Sequence, residues 1–176
     1  QGEYQKMIRD AVEIYAGYME VTGSGYVDKP DYDHLIYNLS EVKKIVQHQE
    51  GVEKYTERMQ TFALFSGEQD SVGGMLVGIV PETEQYLSRI KQSIVKGEFL
   101  TSTTKPYAII GKDLADKLEV KIGDKFTYLS NALDFSMAAD NLIIKGIFQT
   151  RSQFDGRAVF ISKKYMDTMF LSQGVA

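Results

Sequence analysis

The sequence predicts an α+β domain. Apolar residues at helical spacing dominate its first half, and period-two or β-prone segments dominate its second. Between Ala108 and Ser130 a compact unit reads strand, short helix, Gly-Asp turn, strand. With 176 residues, 43% hydrophobic and 25% charged, the chain suits one domain, or one domain of two lobes.

Residues 3–15 place Tyr4, Met7, Ile8, Val12 and Tyr15 at helical spacing, and Gly17 ends that segment. Tyr18 to Thr22 read as a strand closed by Gly23-Ser24-Gly25. Pro30, Asp31 and Asp33 form a helix start signal with capping oxygens. The helix predicted over 33–48 carries Leu35, Ile36, Leu39, Val42, Ile45 and Val46 on one stripe, and Gly51 stops it. Strands at 52–65 and 74–80 flank a polar loop and read as a hairpin. Glu82 and Glu84 then sit in the first turn of a helix predicted over 83–96, where carboxylates favour the positive dipole end. Leu87, Ile90 and Ile94 give its apolar face, and Gly97 its C-terminal glycine.

In the central unit, Ala108 to Ile110 are a short buried strand that Gly111 breaks. Residues 112–118 make about two helical turns with Leu114, Ala115 and Leu118 on one face. Gly123-Asp124 is a turn dipeptide, and Phe126 to Leu129 restart a strand. Ser130 to Asp140 are expected as a loop, 141–148 and 157–161 as strands, and 163–171 as a last helix.

Composition excludes several chemistries. A net charge of -4 and a pI near 5.3 lack the basic footprint of nucleic-acid binding. Without cysteine there is no thiol catalysis, Cys-based zinc site or disulfide. The apolar runs fall far short of the roughly 20 residues a membrane span needs. His34 and His48 are almost four turns apart on one predicted helix and cannot share a metal there. The carboxylate pairs Asp31/Asp33, Glu82/Glu84 and Asp113/Asp116 read as helix caps or solvated positions. No dinucleotide fingerprint, phosphate-binding loop or nucleophile elbow occurs. No catalytic, cofactor-binding or metal-ligating residue is therefore assigned, and the chain reads as a non-enzyme.

One candidate binding feature remains. Leu133, Phe135 and Met137 alternate within the predicted loop 130–140, so an extended loop would show all three on one side. Exposed, they would make an apolar contact for a partner protein. Folded back, they would plug the core of the second lobe.

The ordered motifs carry a resemblance. They are Gly17 to Tyr26, Gly78-Ile79-Val80-Pro81-Glu82-Thr83-Glu84, and Ile94 with Gly97-Glu98-Phe99-Leu100. Ile110-Gly111 with Leu114-Ala115, Leu118 and Gly123-Asp124 come next, then Gly146-Ile147-Phe148-Gln149-Thr150 with Asp155. This order and spacing resemble the extracytoplasmic core domain of ABC-transporter permeases of the FtsX/MacB superfamily, nearest the lipoprotein-releasing LolC/LolE-like branch. The resemblance implies a two-lobed MacB-like α+β fold. Residues 1–16 would continue the first transmembrane segment, 17–105 form a Porter-like lobe, and 106–176 a β-rich Sabre-like lobe. It implies a periplasmic domain of an inner-membrane permease, with Gln1 a cut just outside the first spanning helix. Its implied partners are a cytoplasmic ATPase subunit acting through the membrane part, a second permease subunit in a homo- or heterodimer, and a periplasmic cargo or adaptor protein.

The chain departs from the family pattern in three places. Gly17-Tyr18 stands where Gly-His is frequent, and Asp155 follows Thr150 without the usual glycine. The family also continues with strand and helix segments beyond the point reached at Ala176, so the first lobe is expected to be incomplete here. Leu118-x-Val120-x-x-Gly123-Asp124 also fits small pseudo-barrels, which gives an alternative: a ligand-binding or regulatory domain unrelated to transport. That alternative leaves the Gly78 to Glu84 motif unexplained.

Overall fold

The computed structural model describes residues 19–29 and 31–176. The helix expected at 3–15 and the cap at Pro30 lie outside these residues. The element order is α1 (Leu39–His48), β1 (Arg58–Ser66), β2 (Ser71–Ile79), α2 (Pro81–Glu84), β3 (Ile94–Gly97), β4 (Tyr107–Gly111), α3 (Lys112–Lys117), β5 (Lys125–Asn131), β6 (Met137–Phe148), β7 (Ala158–Ser162) and α4 (Lys163–Phe170).

All seven strands join one mixed sheet in the order β3-β6-β4-β7-β2-β1-β5, and β5 also pairs with β6. The second pairing closes a ring of six strands. The length of β6 makes this possible: residues 137–143 pair antiparallel with β5, and 143–148 pair parallel with β4. β3 continues the β5 side of β6 at Gly146 to Phe148. Strands from the expected segments 17–105 and 106–176 thus share a sheet, through β2–β7 and β1–β5.

Two cores result. The ring interior is filled by Phe65, Leu76, Ile110, Phe126, Tyr128 and Leu142, among others. Antiparallel β4 and β7 each run directly into a helix, so α3 and α4 close opposite ends of the ring. Leu114, Ala115 and Leu118 enter the core from α3, and Tyr165, Met166 and Phe170 from α4. The outer face of β2, β7, β4 and the end of β6 is covered by residues 90–100. Ile90 and Leu100 there bury against Val77, Ile79, Ile109, Phe148 and Phe160.

Several expectations are corrected. The helix predicted over 83–96 is one turn, α2, followed by a turn-containing stretch, a 3-10 turn at Lys91–Ser93 and β3. Tertiary demands override its helical spacing: Ile90 must reach the sheet, and Ile94 to Gly97 take up pairing with β6. The helix predicted over 33–48 divides into a 3-10 turn at Tyr32–His34 and α1. Ile36 leaves the helix because its N–H and C=O both bond Ala176, at 2.7 and 3.2 Å. Met19 to Thr22 are not in a strand, and Met19 and Val21 are exposed. The predicted loop 130–140 is mostly strand, since β5 runs to Asn131 and β6 begins at Met137.

Candidate interaction surface

The connection between β5 and β6 is a tight hairpin turn. Asn131 pairs with Met137, the Ala132 N–H bonds the Ser136 carbonyl at 2.8 Å, and the Phe135 N–H bonds the Ala132 carbonyl at 2.9 Å. Asp134 Oδ1 accepts from the Ser136 N–H at 3.0 Å and from the Ser136 hydroxyl at 2.5 Å. The Ser136 hydroxyl, and then its N–H, hold the Asp134 carboxyl below its ordinary pKa. A three-residue loop of this kind ends in a left-handed residue, ordinarily glycine. Here that residue is Phe135, at φ +64°. A bulky side chain in this region costs about 1–2 kcal/mol, yet Phe135 is 77% exposed.

The three residues singled out by sequence part company. Met137 is 74% exposed. Leu133 turns inward and packs on the ring core, its N–H bonded to the Phe170 carbonyl. Alternation fails because the turn reverses the chain between them. Phe135 instead lies beside Tyr32, ring centroids 6.5 Å apart. The Tyr32 hydroxyl meets Thr61 Oγ1 and the Asn131 carbonyl, so it bridges β1 and β5 where the hairpin leaves the ring. The turn sits at the α4 end of the ring, beside residues 32–36, and Ile36 is the residue that pairs with Ala176. The opposite end carries the 67–70 loop and the 121–124 turn.

Met137 has neighbours that the sequence did not single out. On β1, Met59, Ala63 and Phe65 are buried, while Phe62 is 70% and Leu64 38% exposed. On β5, Phe126, Tyr128 and Ser130 point in, and Leu129 is exposed. The register sets Leu64 opposite Leu129, and Leu129 opposite Ala139. One outer face of β1, β5 and β6 therefore shows Phe62, Leu64, Leu129 and Met137, with Phe135 at its end. Gly73, across from Leu64 on β2, leaves room for the Phe62 ring, since a Cβ there would come 2.7 Å from Phe62 Cζ. Phe62-Ala63-Leu64-Phe65 reads in sequence as one apolar run, which hides that only alternate members are buried.

Polar groups elsewhere serve the architecture. Asp31 accepts from Lys29 and His34, whose Nδ1 lies 2.5 Å from Oδ1, and it is held down to about 2 by Lys29 first and His34 second. Asp116 pairs with Lys112 at 2.6 Å. Glu84 is fully buried against Arg58 rather than solvated. A groove of about 380 Å³ at the α3 end is lined by Glu68, Asp70, Glu119, Asp124, Lys117 and Lys125, with others. Among the described residues no group of three or more His, Asp or Glu side chains could hold a metal ion. No helix among them is long and apolar enough to cross a membrane.

No protein-family model and no curated protein matches the chain. The fold is similar to a solved structure, the extracellular domain of the noncanonic ABC-type transporter YknZ from Gram-positive bacteria. That likeness has a TM-score of 0.55 at 15% sequence identity, and it covers 77% of this chain and 67% of the other. What the two share is the fold of a transporter's extracellular domain.

Proposed function

We propose that the chain is a non-catalytic extracytoplasmic domain of an ABC-transporter permease of the FtsX/MacB type. It would move in response to a cytoplasmic ATPase and contact a second subunit, cargo or periplasmic adaptor. The observation that carries this reading is the ordered motif set on a fold similar to a transporter's extracellular domain. The motif residues form the joints of that fold. Gly111 lies against the Asp155 backbone, where a Cβ would come 2.4 Å from the carbonyl oxygen. Asp155, almost fully buried, accepts from Thr150 N–H, Thr150 Oγ1 and Arg151 N–H, each at 2.7 Å. Ile110-Gly111 and Gly146 to Thr150, separate in sequence, thus meet at one joint. The Gly78 to Glu84 motif likewise turns β2 into α2.

The pseudo-barrel alternative draws support from the closed ring of six strands. The ring interior is filled by aromatic and aliphatic side chains, as in small barrels generally, so it offers a ligand no chamber.

The test is the native polypeptide expressed in its own cells. It should fractionate with the membrane, and a cysteine placed at exposed Glu68 should react with an impermeant maleimide added outside the inner membrane. A soluble polypeptide, or a site labelled only from the cytoplasm, overturns the reading.

A further inference from the structure

Five lysines gather where β3, β4, β6 and the 121–124 turn meet. Lys125 and Tyr107 both lie opposite Ile143, on either side of β6. Two residues on, Lys145 sets its Nζ 4.4 Å from the centre of the Tyr107 ring, and Lys105 Nζ lies 5.9 Å from the same ring. The turn is fastened to β6 twice: the Gly123 N–H bonds the Ile144 carbonyl at 2.9 Å, and the Ile144 N–H bonds the Asp124 carbonyl at 3.0 Å. Lys121 and Ile122 are thereby carried beside Lys145. Ile122 reaches Gly97 on β3, where a Cβ would come 2.8 Å from its Cδ1, and Lys96 precedes that glycine. Lys96, Lys105, Lys121 and Lys125 are exposed, and Lys145 is half-buried. Among the described residues none of the five forms an ion pair. Glu98 and Asp124 are the carboxylates that adjoin the strip, and Asp124 Oδ2 is turned onto the Lys121 N–H at 3.0 Å. The acid-lined groove of Glu68, Asp70 and Glu119 bounds it at Lys125.

A chain with a net charge of -4 thus concentrates unpaired ammoniums on one strip. Lysines held this close repel one another, so an anion that bridges them is favoured. We propose that the strip binds a linear polyanion whose charges are phosphates on a flexible backbone. The lysines sit on β3, β5, β6, the 121–124 turn and the loop before β4, and the outer face of a six-strand ring turns sharply between strands. A flexible chain follows that curve, while a flat bilayer meets only part of it. The Tyr107 hydroxyl has no partner among the described residues, and with an ammonium close to its ring on two sides it is free to donate to the same anion. The tetrahedral oxygens of a phosphate diverge enough to meet both amines flanking the ring, whereas the two of a carboxylate lie in one plane. Tyr107 is the one aromatic ring in the strip, so successive bases would find no stacking platform and nucleic acid is disfavoured. Repulsion from the rest of the acidic chain is screened beyond about 8–10 Å at physiological salt, which leaves the local lysines in control.

This assignment goes beyond the transport reading and does not rest on it, so its test uses the 176-residue chain alone. The probe is long-chain inorganic polyphosphate, titrated calorimetrically at about 50 and about 200 mM salt. Binding should weaken roughly 20- to 100-fold between the two, as the release of about three to five counterions requires. Lys121→Gln/Lys145→Gln and, separately, Lys96→Gln/Lys105→Gln should each weaken it at least about tenfold and flatten the salt dependence. Two pairs, on side chains that no ion pair holds, keep the test decisive if one variant misfolds. Tyr107→Phe should weaken binding about two- to fivefold and leave the salt dependence unchanged. Lys44→Gln/Lys54→Gln, which removes equal charge at α1 and the segment after it, should stay within about twofold. No binding at about 50 mM salt overturns the proposal. So does a control pair that loses as much as the strip pairs, or equal affinity for polyglutamate. Tighter binding to phosphatidylglycerol vesicles than to polyphosphate would give the strip to a bilayer and overturn it as well.

Discussion

Arg58 on β1 holds Glu84 at the end of α2 through two parallel hydrogen bonds, Nε to Oε2 at 2.9 Å and Nη2 to Oε1 at 2.6 Å. The Glu84 side chain is fully buried and Arg58 is 18% exposed. The pair fastens α2 onto the β1–β2 hairpin.

Removing one member of such a pair leaves a charge without its partner, at about 3 kcal/mol or more. Glu84→Ala should therefore lower the melting temperature by about 6–12 °C in a chain of this length. Arg58→Met, which keeps the volume but strands the Glu84 carboxylate, should cost at least as much. Thermal unfolding followed by circular dichroism checks both. A change within about 0.5 kcal/mol for Glu84→Ala, as at an ordinary surface site, would show the pair to be idle.

Phe135 gives the opposite sign. Its left-handed backbone is strained and its ring touches little except Tyr32. Phe135→Gly should stabilise the domain by about 1 kcal/mol, and Phe135→Asn by slightly less. Urea denaturation reads the gain as a higher midpoint at unchanged slope. A stabilised variant that transports less well would show that the aromatic is kept at this turn for binding. A destabilised variant would mean that the Tyr32 contact outweighs the strain.

Much of the strand framework was legible in the sequence. Alternation in 126–130 and turn chemistry at Gly123-Asp124 give β5 correctly, because local pattern and tertiary position agree there. The 52–65 and 74–80 segments pair as the expected hairpin, although the first starts at Arg58. Local pattern misleads where distant contacts decide. Leu87, Ile90 and Ile94 keep helical spacing, yet Ile90 covers the outer sheet face and Ile94 joins β6. Ring closure was not legible, since it depends on β6 exchanging partners at Ile143. Of the three residues singled out in the 130–140 segment, Phe135 and Met137 are exposed and Leu133 packs inward, while Phe62, Leu64 and Leu129, exposed on the same side of the sheet, drew no attention in the sequence. Which face of β1 is left open depends on where residues 90–100 lie, and nothing within β1 encodes that.

The interior carries a polar chain with a pH consequence. Tyr128 and Tyr165 hydroxyls lie 3.3 Å apart, and Tyr165 donates to Asp140 Oδ2 at 2.9 Å. Burial raises both phenols. Tyr165 is raised much further, because Tyr128 and the Asp140 carboxylate add to the cost of a phenolate there. Their neutral forms belong to the folded state. The associated stability is complete below the unfolded tyrosine pKa of about 10 and falls as pH rises above it. In an alkaline absorbance titration, two of the 11 tyrosines should ionise only together with unfolding. Tyr165→Phe should flatten the loss of stability above pH 10. An early, reversible ionisation of all tyrosines in folded protein would contradict the buried chain.

The joint between Gly111 and Asp155 allows close approach to be separated from hydrogen bonding. Gly111 has φ -64°, an angle open to any residue, so Gly111→Ala carries no backbone penalty. Its added Cβ would fall 2.4 Å from the Asp155 carbonyl oxygen and 2.7 Å from Asp155 Cα, both backbone atoms that cannot swing aside. The expected cost is that of overpacking, about 1–3 kcal/mol. Asp155→Ala acts differently: it leaves the backbone approach intact but frees the Thr150 and Arg151 N–H groups and the Thr150 hydroxyl, at about 2–4 kcal/mol in all. Because pushing on the Asp155 backbone also displaces its carboxylate, the two effects overlap. The double variant should lose less than the sum of the singles, with a coupling of about 1 kcal/mol. Strict additivity would mean that the carboxylate holds its loop independently of the strand–helix junction. In that case the two motifs would meet in space without acting as one joint.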